Sequence, residues 1–152
     1  MNDTIKFRRA DCKDVALLSE IACRSEAYWN YSDEFMEIFR SQYGVTEDFV
    51  EVNSVFLMEN DQRQVGFYGL IIGNPTELEF FYIEPECIGK GYGRIMWEHL
   101  LELCHGEKID SFVFVTSPQA VPFYEKMGAE VIGSTCSSVD GRNIPKLSFQ
   151  II

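Results

Sequence analysis

The stretch YIEPECIGKGYGRIMW, residues 82–97, joins a strand-like run to a helix-like one. Glycines stand at 89, 91 and 93, with Lys90 and Arg94 among them. Glycine lets the backbone take left-handed angles and approach a ligand with no side chain between. At a strand–helix junction, this turns main-chain N–H groups toward an anion, with the positive end of the helix behind them. Two nucleotide-binding readings fail on spacing. A phosphate loop of the G-x-x-x-x-G-K-[ST] type needs a hydroxyl after its lysine to hold magnesium, and Gly91 follows Lys90. A dinucleotide fingerprint needs G-x-G-x-x-G in the first strand–helix unit, whereas G-x-G-x-G falls late in this chain. From the loop alone, a plain glycine turn is the remaining alternative.

Outward from this junction the chain alternates strand and helix patterns. On the amino-terminal side, TELEFFYI (76–83) reads as a strand, and SVFLMEN (54–60) with QVGFYGLIIG (64–73) as a hairpin around the polar turn NDQR. TIKFRRA (4–10) is a first strand, followed by Asp11 as helix cap with Asp14 three residues on. Val15, Leu18, Ile21 and Ala22 then recur at helical spacing, and a second helix starts at Ser32 and runs to Gly44. On the carboxyl-terminal side, Ile95, Met96, Leu100, Leu103 and Cys104 form one apolar helix face. SFVFV (111–115) reads as a strand buried on both faces, and SPQAVPFYEKMG (117–128) as a short helix ended by Gly128. AEVIGSTCSS and PKLSFQII close the chain as a hairpin about Asp140-Gly141. The order β-α-α-β-β-β-α-β-α-β-β predicts an α+β or α/β domain on a mixed sheet, and residues 1–152 are expected to form one domain.

Composition narrows the function classes. Hydrophobic residues make up 46% and charged residues 24%, an ordinary globular balance, and no apolar run approaches the ~20 residues of a membrane span. The amino terminus MNDTIKFRRADCKD has no apolar signal core, so a cytoplasmic location is expected. A net charge of −11 argues against nucleic acid as a partner and leaves room for a cationic or neutral substrate. The five cysteines are scattered without a C-x-x-C pair, and the only histidines are His99 and His105. No metal site is expected from this inventory, and the thiols read as reduced.

Residues 82–97 resemble motif A of the GNAT superfamily of N-acetyltransferases, in which a strand is followed by [Q/R]-x-x-G-x-[G/A] and a helix. Gly91 and Gly93 match the two glycines, while Ile88 stands at the Gln/Arg position. PQAVPFYEKMGAEVIG resembles the motif B region A-x-x-x-Y-x-x-x-G, with Ala120, Tyr124 and Gly128 in register and Ser117 where relatives often carry Asn. RSEAYWNYSDEFM is similar to a stretch in a group of these proteins with poorly defined acceptors. The resemblance implies a GNAT-like acyl-CoA N-acyltransferase fold of the α+β (α/β three-layer) class. Its sheet would be central, mixed and mostly antiparallel, with about seven strands flanked by about four helices. It also implies acetyl-coenzyme A as co-substrate, no metal, and direct transfer to a primary amine of a small molecule or peptide. A homodimer through the terminal strands is a further implied possibility.

Acetyl transfer from a thioester requires a deprotonated amine, an aligned donor, a stabilised oxyanion and a protonated leaving thiolate. Strand alternation puts Glu77, Glu79, Phe81 and Ile83 on one face. By resemblance, Glu79 or Glu77 is the general base, with Glu79 nearer the cofactor. The Ile83 N–H faces the thioester carbonyl, and Tyr124 protonates the sulfur. The cofactor would contact Phe81, Ile83, Ile88, Gly89, Lys90, Gly91, Tyr92, Gly93, Arg94, Ser117, Ala120 and Tyr124, with the amides of 89–94 on its pyrophosphate. In this fold the first two helices overhang the acceptor, which makes Trp29, Tyr31, Asp33 and Glu34 candidate wall residues. Trp97 reads as packing, and Arg142 as exposed at a hairpin tip. The alternatives are a coenzyme A-binding sensor without transferase activity, a transferase of a longer acyl group, and a cofactor-free interaction module. The last gives no reason for the three glycines.

Overall fold

The computed structural model describes residues 5–28, 31–42, 44–61, 63–137 and 141–151. The elements in chain order are β1 (Ile5–Arg9), α1 (Val15–Ala27), α2 (Asp33–Gln42), α3 (Glu47–Val52), β2 (Ser54–Asn60), β3 (Arg63–Ile71) and β4 (Glu77–Ile83), followed by α4 (Tyr92–Gly106), β5 (Ser111–Val115), α5 (Val121–Lys126), β6 (Glu130–Cys136) and β7 (Asn143–Gln150). Short 3₁₀ turns at Cys12–Asp14, Pro85–Cys87 and Pro118–Ala120 lead into α1, α4 and α5. The seven strands form one sheet in the order β1-β2-β3-β4-β5-β7-β6, in which only the β4–β5 pair is parallel. This is the mixed, mostly antiparallel sheet expected from the sequence. No helix among the described residues is long and apolar enough to cross a membrane.

Two cores lie on the two faces of the sheet. Met96, Trp97, Leu100 and Cys104 of α4 pack with Tyr68, Leu78, Phe112 and Leu147 on one face. Leu18, Ile21 and Ala22 of α1 and Phe35, Met36 and Phe39 of α2 pack with Leu57, Phe67 and Phe80 on the other. The caps form as the sequence suggests. Asp11 and Asp14 make a reciprocal capping box, and Ser32 Oγ accepts the Phe35 N–H at 3.0 Å.

One element goes beyond the sequence reading, and two expectations are corrected. Five helices flank the sheet among the described residues, close to the number expected, and the additional one is α3, whose six residues are too few for a periodic signal. Thr46 caps it by accepting the Phe49 N–H at 3.1 Å, and Phe49 then packs edge-on to Phe80 at 5.0 Å. SFVFV is buried on one face only, with Phe112 and Phe114 inside and Val113 and Val115 opening the other way, because β4 leaves β5 beyond a single rung. Finally, β4 does not alternate strictly. Gly69 pairs with Phe80 and Leu70 with Leu78, so Glu79 is an extra residue in a bulge. Leu78, Phe81 and Ile83 therefore pack with α4, whereas Phe80 and Tyr82 pack with the α1–α2 side. The Asp140 half of the expected final turn lies outside the described residues.

Asp14 also anchors β1, since Arg8 reaches both its carboxylate oxygens, at 2.8 and 2.9 Å. This pairing and the Asp11 amide hold the Asp14 carboxyl below its ordinary range, against the opposing effect of its own burial. A group whose folded pKa is depressed contributes stability above its unfolded pKa and loses it as pH falls through the folded value. Asp14→Asn should cost about 1–2 kcal/mol near neutral pH, given the half-exposed Arg8. That cost should shrink steadily below about pH 4. Urea unfolding of both proteins as a function of pH measures it; a pH-independent difference would contradict the assignment.

Candidate active site

The parting of β4 and β5 creates the site. The strands share one rung, Glu77 opposite Val113, and Val113 donates to the Thr76 carbonyl at 3.0 Å. Beyond it two cavities open, of about 460 Å³ and about 360 Å³. They meet at Glu26, Phe81, Tyr82, Thr116, Ser117 and Tyr124.

The larger cavity runs from that junction to the start of α4. Gly89 and Gly91 carry φ of +84° and +86°, angles that disfavour side chains, and an added Cβ at either would meet nothing within 4 Å. Space is therefore open in front of both. Gly93 has a different reason: a Cβ there would lie 3.0 Å from Phe123 Cε1, so the glycine lets α5 pack on α4. No side chain caps α4, and its first N–H groups lack intrahelical partners. The Ile88 amide is already used by the Pro85 carbonyl at 3.2 Å, so free donors begin after it. Ile83, Ile88, Ala120, Phe123 and Met127 make an apolar wall, with Arg94 and Lys126 as cations. An uncapped fifteen-residue helix behind an open glycine cradle suits a phosphorylated group, and the apolar wall suits a long arm leading inward. Lys90 and Tyr92 line a third cavity instead, with Asn60, Asp61 and Arg63. There the Tyr92 hydroxyl accepts a hydrogen bond from Asn60 Nδ2 at 2.8 Å, and Arg63 pairs with Glu86.

The smaller cavity holds Glu77 and Glu79 on its β4 side and Lys146 on its β7 side. Partial desolvation, and secondarily the neighbouring Glu77 charge, push the Glu79 carboxyl above its usual range. At the junction Tyr124 is 7% exposed, and burial pushes its hydroxyl pKa up, so it stays protonated at neutral pH. Its ring sits 4.7 Å from Phe114 and 5.8 Å from Trp97. Trp97 is packing, as expected, with Phe149 edge-on at 5.2 Å.

A profile of the acetyltransferase (GNAT) family matches residues 17–129. The chain belongs to this family. It is 31% identical to the peptidyl-lysine N-acetyltransferase YjaB of Escherichia coli, over 97% of each chain. Among solved structures it resembles the PaiA N-acetyltransferase of Thermoplasma acidophilum, determined in complex with coenzyme A, with TM-score 0.76 and 22% identity over 96% of this chain and 98% of that one. A GCN5-related N-acetyltransferase of Rhodopseudomonas palustris gives TM-score 0.81 and 19% identity over 97% and 96%. This GNAT protein is thus an acyl-transfer enzyme by family, and the parted sheet is where its fold supplies a site.

Of the acceptor-wall candidates, Trp29 lies outside the described residues, and Asp33 and Glu34 are exposed on the first turn of α2, lining neither of the two meeting cavities. Tyr31 stacks on Phe35 at 4.1 Å and donates to Ser117 Oγ at 2.8 Å, with Gln119 Oε1 3.3 Å away. Arg142 is exposed, as expected, and its guanidinium also lies over the rings of Tyr31 and Phe35, at 5.2 and 5.6 Å. Sequence reasoning missed Glu26, which sits at the end of α1 and accepts a long hydrogen bond from Ser117 Oγ at 3.4 Å. Burial raises its carboxyl, with Ser117 and Arg142 offsetting part of the effect. Glu26 lies within the stretch RSEAYW, but nothing in helical periodicity brings α1 to the split in the sheet. Lys126 was missed likewise.

A clamp fixes α1 at this place. Arg24 donates to both oxygens of the buried Glu84, at 2.9 and 2.7 Å, just past the end of β4. Arg24→Met should destabilise the fold by about 1–2 kcal/mol, less than a fully buried pair because Arg24 is half exposed. Adding Glu84→Met should recover part of that loss by removing the stranded carboxylate. A double-mutant cycle by chemical denaturation reads both; strictly additive costs would show that the pair is not coupled.

Proposed function

We propose that this GNAT protein moves the acetyl group of acetyl-coenzyme A to a primary amine of a small molecule or peptide, by direct transfer in a ternary complex. The observation that carries this reading is the meeting of two cavities at Tyr124. One has a glycine cradle and an apolar channel, and the other is lined with carboxylates. The coenzyme A complex of the PaiA relative supports the donor, and the peptidyl-lysine N-acetyltransferase name of the 31% identical relative supports an amine acceptor.

Acetyl-coenzyme A, when bound, supplies an activated thioester. The amides following Ile88 and the start of α4 hold its pyrophosphate, with Arg94 and Lys126 adding charge. Phe81, Ile83, Ile88, Ser117 and Ala120 line the arm and exclude water. Lys90 and Tyr92 contribute through their backbone amides, since their side chains line the third cavity. The Ile83 N–H is the oxyanion donor, a type of contact worth about 3–4 kcal/mol in well-studied sites. The acceptor ammonium gives one proton to a carboxylate, and the neutral nitrogen forms the C–N bond as the C–S bond breaks. Tyr124 donates its hydroxyl proton to the departing sulfur and regains one from the nitrogen, directly or through water.

Glu79 is the base suggested by its place in the acceptor cavity and its raised carboxyl, with Glu77 beside it, although both side chains are exposed. A second reading is favoured by one observation: of these three carboxylates, only Glu26 lines both cavities. Both Glu79 and Glu26 have raised pKa values. The acidic limb of kcat/KM should therefore lie above the ordinary carboxylate range, because a base works only when deprotonated. Whichever of Glu79→Gln and Glu26→Gln abolishes that limb identifies the base, and persistence of the limb in both rules out a direct carboxylate base at these positions.

The deciding experiment is thiol release from acetyl-coenzyme A with an amine panel, alongside calorimetric binding of the donor. Tyr124→Phe should lower kcat by about 10²–10³-fold while changing donor affinity by less than about threefold. Tight donor uptake with no transfer to any amine would favour the sensor reading. Failure of well-folded protein to bind the donor at millimolar levels would overturn the proposal.

A further inference from the structure

We infer that the acceptor is a zwitterion, an amine carrying a carboxylate several methylenes away, as the side-chain amine of a free or carboxyl-terminal lysine does. The inference rests on the transferase reading above and concerns what its acceptor cavity selects. The smaller cavity is not simply acidic. Glu77 and Glu79 stand on β4, and Lys146 stands on β7, with β5 between them. Arg142 adds a second cation on the β7 side. Among the described residues, Glu26, Glu77, Glu79 and Lys146 form no ion pair with protein, although they share one cavity. Opposite charges lining one space yet held out of contact match a ligand with both charges.

The register gives the spacing. Glu77 is level with Val113, and Val115 is level with Lys146 on β7. Lys146 therefore stands two strands from Glu77 and two residues further along, and the bulged Glu79 lies between these levels. Strands sit about 4.8 Å apart, so these side chains rise from bases about 10 Å apart, and more where β4 leaves β5. With both side chains upright, two charge-assisted hydrogen bonds of about 2.8 Å leave about 4 Å or more between the ligand's charges. That is longer than an α-amino acid's own ammonium–carboxylate spacing and suits an amine at the end of a side chain. The amine end faces the carboxylates and the Tyr124 junction, and the carboxylate end faces Lys146. A purely cationic polyamine would leave a positive group against Lys146 and Arg142, where like charges repel.

The probes are L-lysine and cadaverine, which differ by the carboxylate alone, and a short peptide ending in lysine as its free acid and as its amide. Each is assayed by thiol release and by calorimetric binding with coenzyme A present. L-Lysine, the free-acid peptide, or both should exceed their carboxylate-free counterparts by about tenfold or more in kcat/KM. Which of the two does so tells free amino acid from peptide. Lys146→Met should erase that discrimination, and Lys146→Arg should retain much of it. Cadaverine and the peptide amide matching or exceeding their acid counterparts would overturn the inference while leaving the transferase reading intact, as would a Lys146→Met variant that discriminates as well as the parent. Should no amine be acetylated, the transferase reading fails, and calorimetry alone decides whether the cavity binds the zwitterion in preference to cadaverine.

Discussion

Everything functional in this fold depends on β4 and β5 pairing at one rung and then separating. A sheet that stayed zipped would satisfy its own backbone and leave no site. Parting the strands exposes N–H and C=O groups on two inner edges, and such groups need partners from ligand or water. The bulge at Glu79 changes the side-chain register of β4 where it begins to leave its neighbour, and so turns Phe81 toward α4 and Tyr82 toward α1. Beneath the split, Trp97 fills the space with its ring against Phe81, Phe112, Phe114 and Tyr124. Its indole N–H is buried without a conventional acceptor among the described residues, so this aromatic wedge accepts a polar cost to keep the floor of the split dense.

An opening in a sheet is useful only if its rims are held still. On one side Arg24 ties α1 to Glu84, and the Glu84 amide donates to the Val65 carbonyl at 2.8 Å, so α1, β3 and the entry to the glycine turn share one anchor. On the other, Tyr31 bonds Ser117 and stacks under Arg142, joining the segment before α2 to the start of α5 and the approach to β7. Four distant parts of the chain thus converge on the junction where Glu26 and Tyr124 sit. Precise placement of reacting groups comes from such cross-ties rather than from any one element.

The strand and helix order was readable because it rests on local physics: alternation in SVFLMEN, caps at Asp11 and Ser32, and glycines at a strand exit. The glycine cradle was readable as well, since positive φ at Gly89 and Gly91 is a local demand. What stayed hidden is what depends on tertiary placement. The β4 bulge arises from its pairing with β3 and leaves no mark in TELEFFYI. Val113 and Val115 look like core residues until the neighbouring strand leaves. Glu26 is an ordinary helical glutamate until α1 is docked over the split, and Arg142 is a loop cation until Tyr31 and Phe35 come beneath it.

The charge distribution completes the physical picture. A chain of net charge −11 that takes up a phosphorylated donor works against its own long-range field, so cationic help has to be local. It is local here: Arg94 and Lys126 stand at the larger cavity, where the start of α4 adds its dipole at no cost in net charge. The same negative field would draw an amine acceptor, which arrives mostly protonated and must be discharged before it can attack. On the proposed reading, the carboxylates of the smaller cavity would serve both needs, first by attraction and then by taking a proton. The half-buried Glu26 would suit the second task best, because a carboxyl whose pKa is raised by burial holds the proton it receives more firmly, whereas Glu79 is exposed. Attraction alone would admit any cation. Lys146 and Arg142 line the same cavity, and under the zwitterion proposal they would supply the opposing charge that attraction lacks, where the general acidity of the protein is locally reversed.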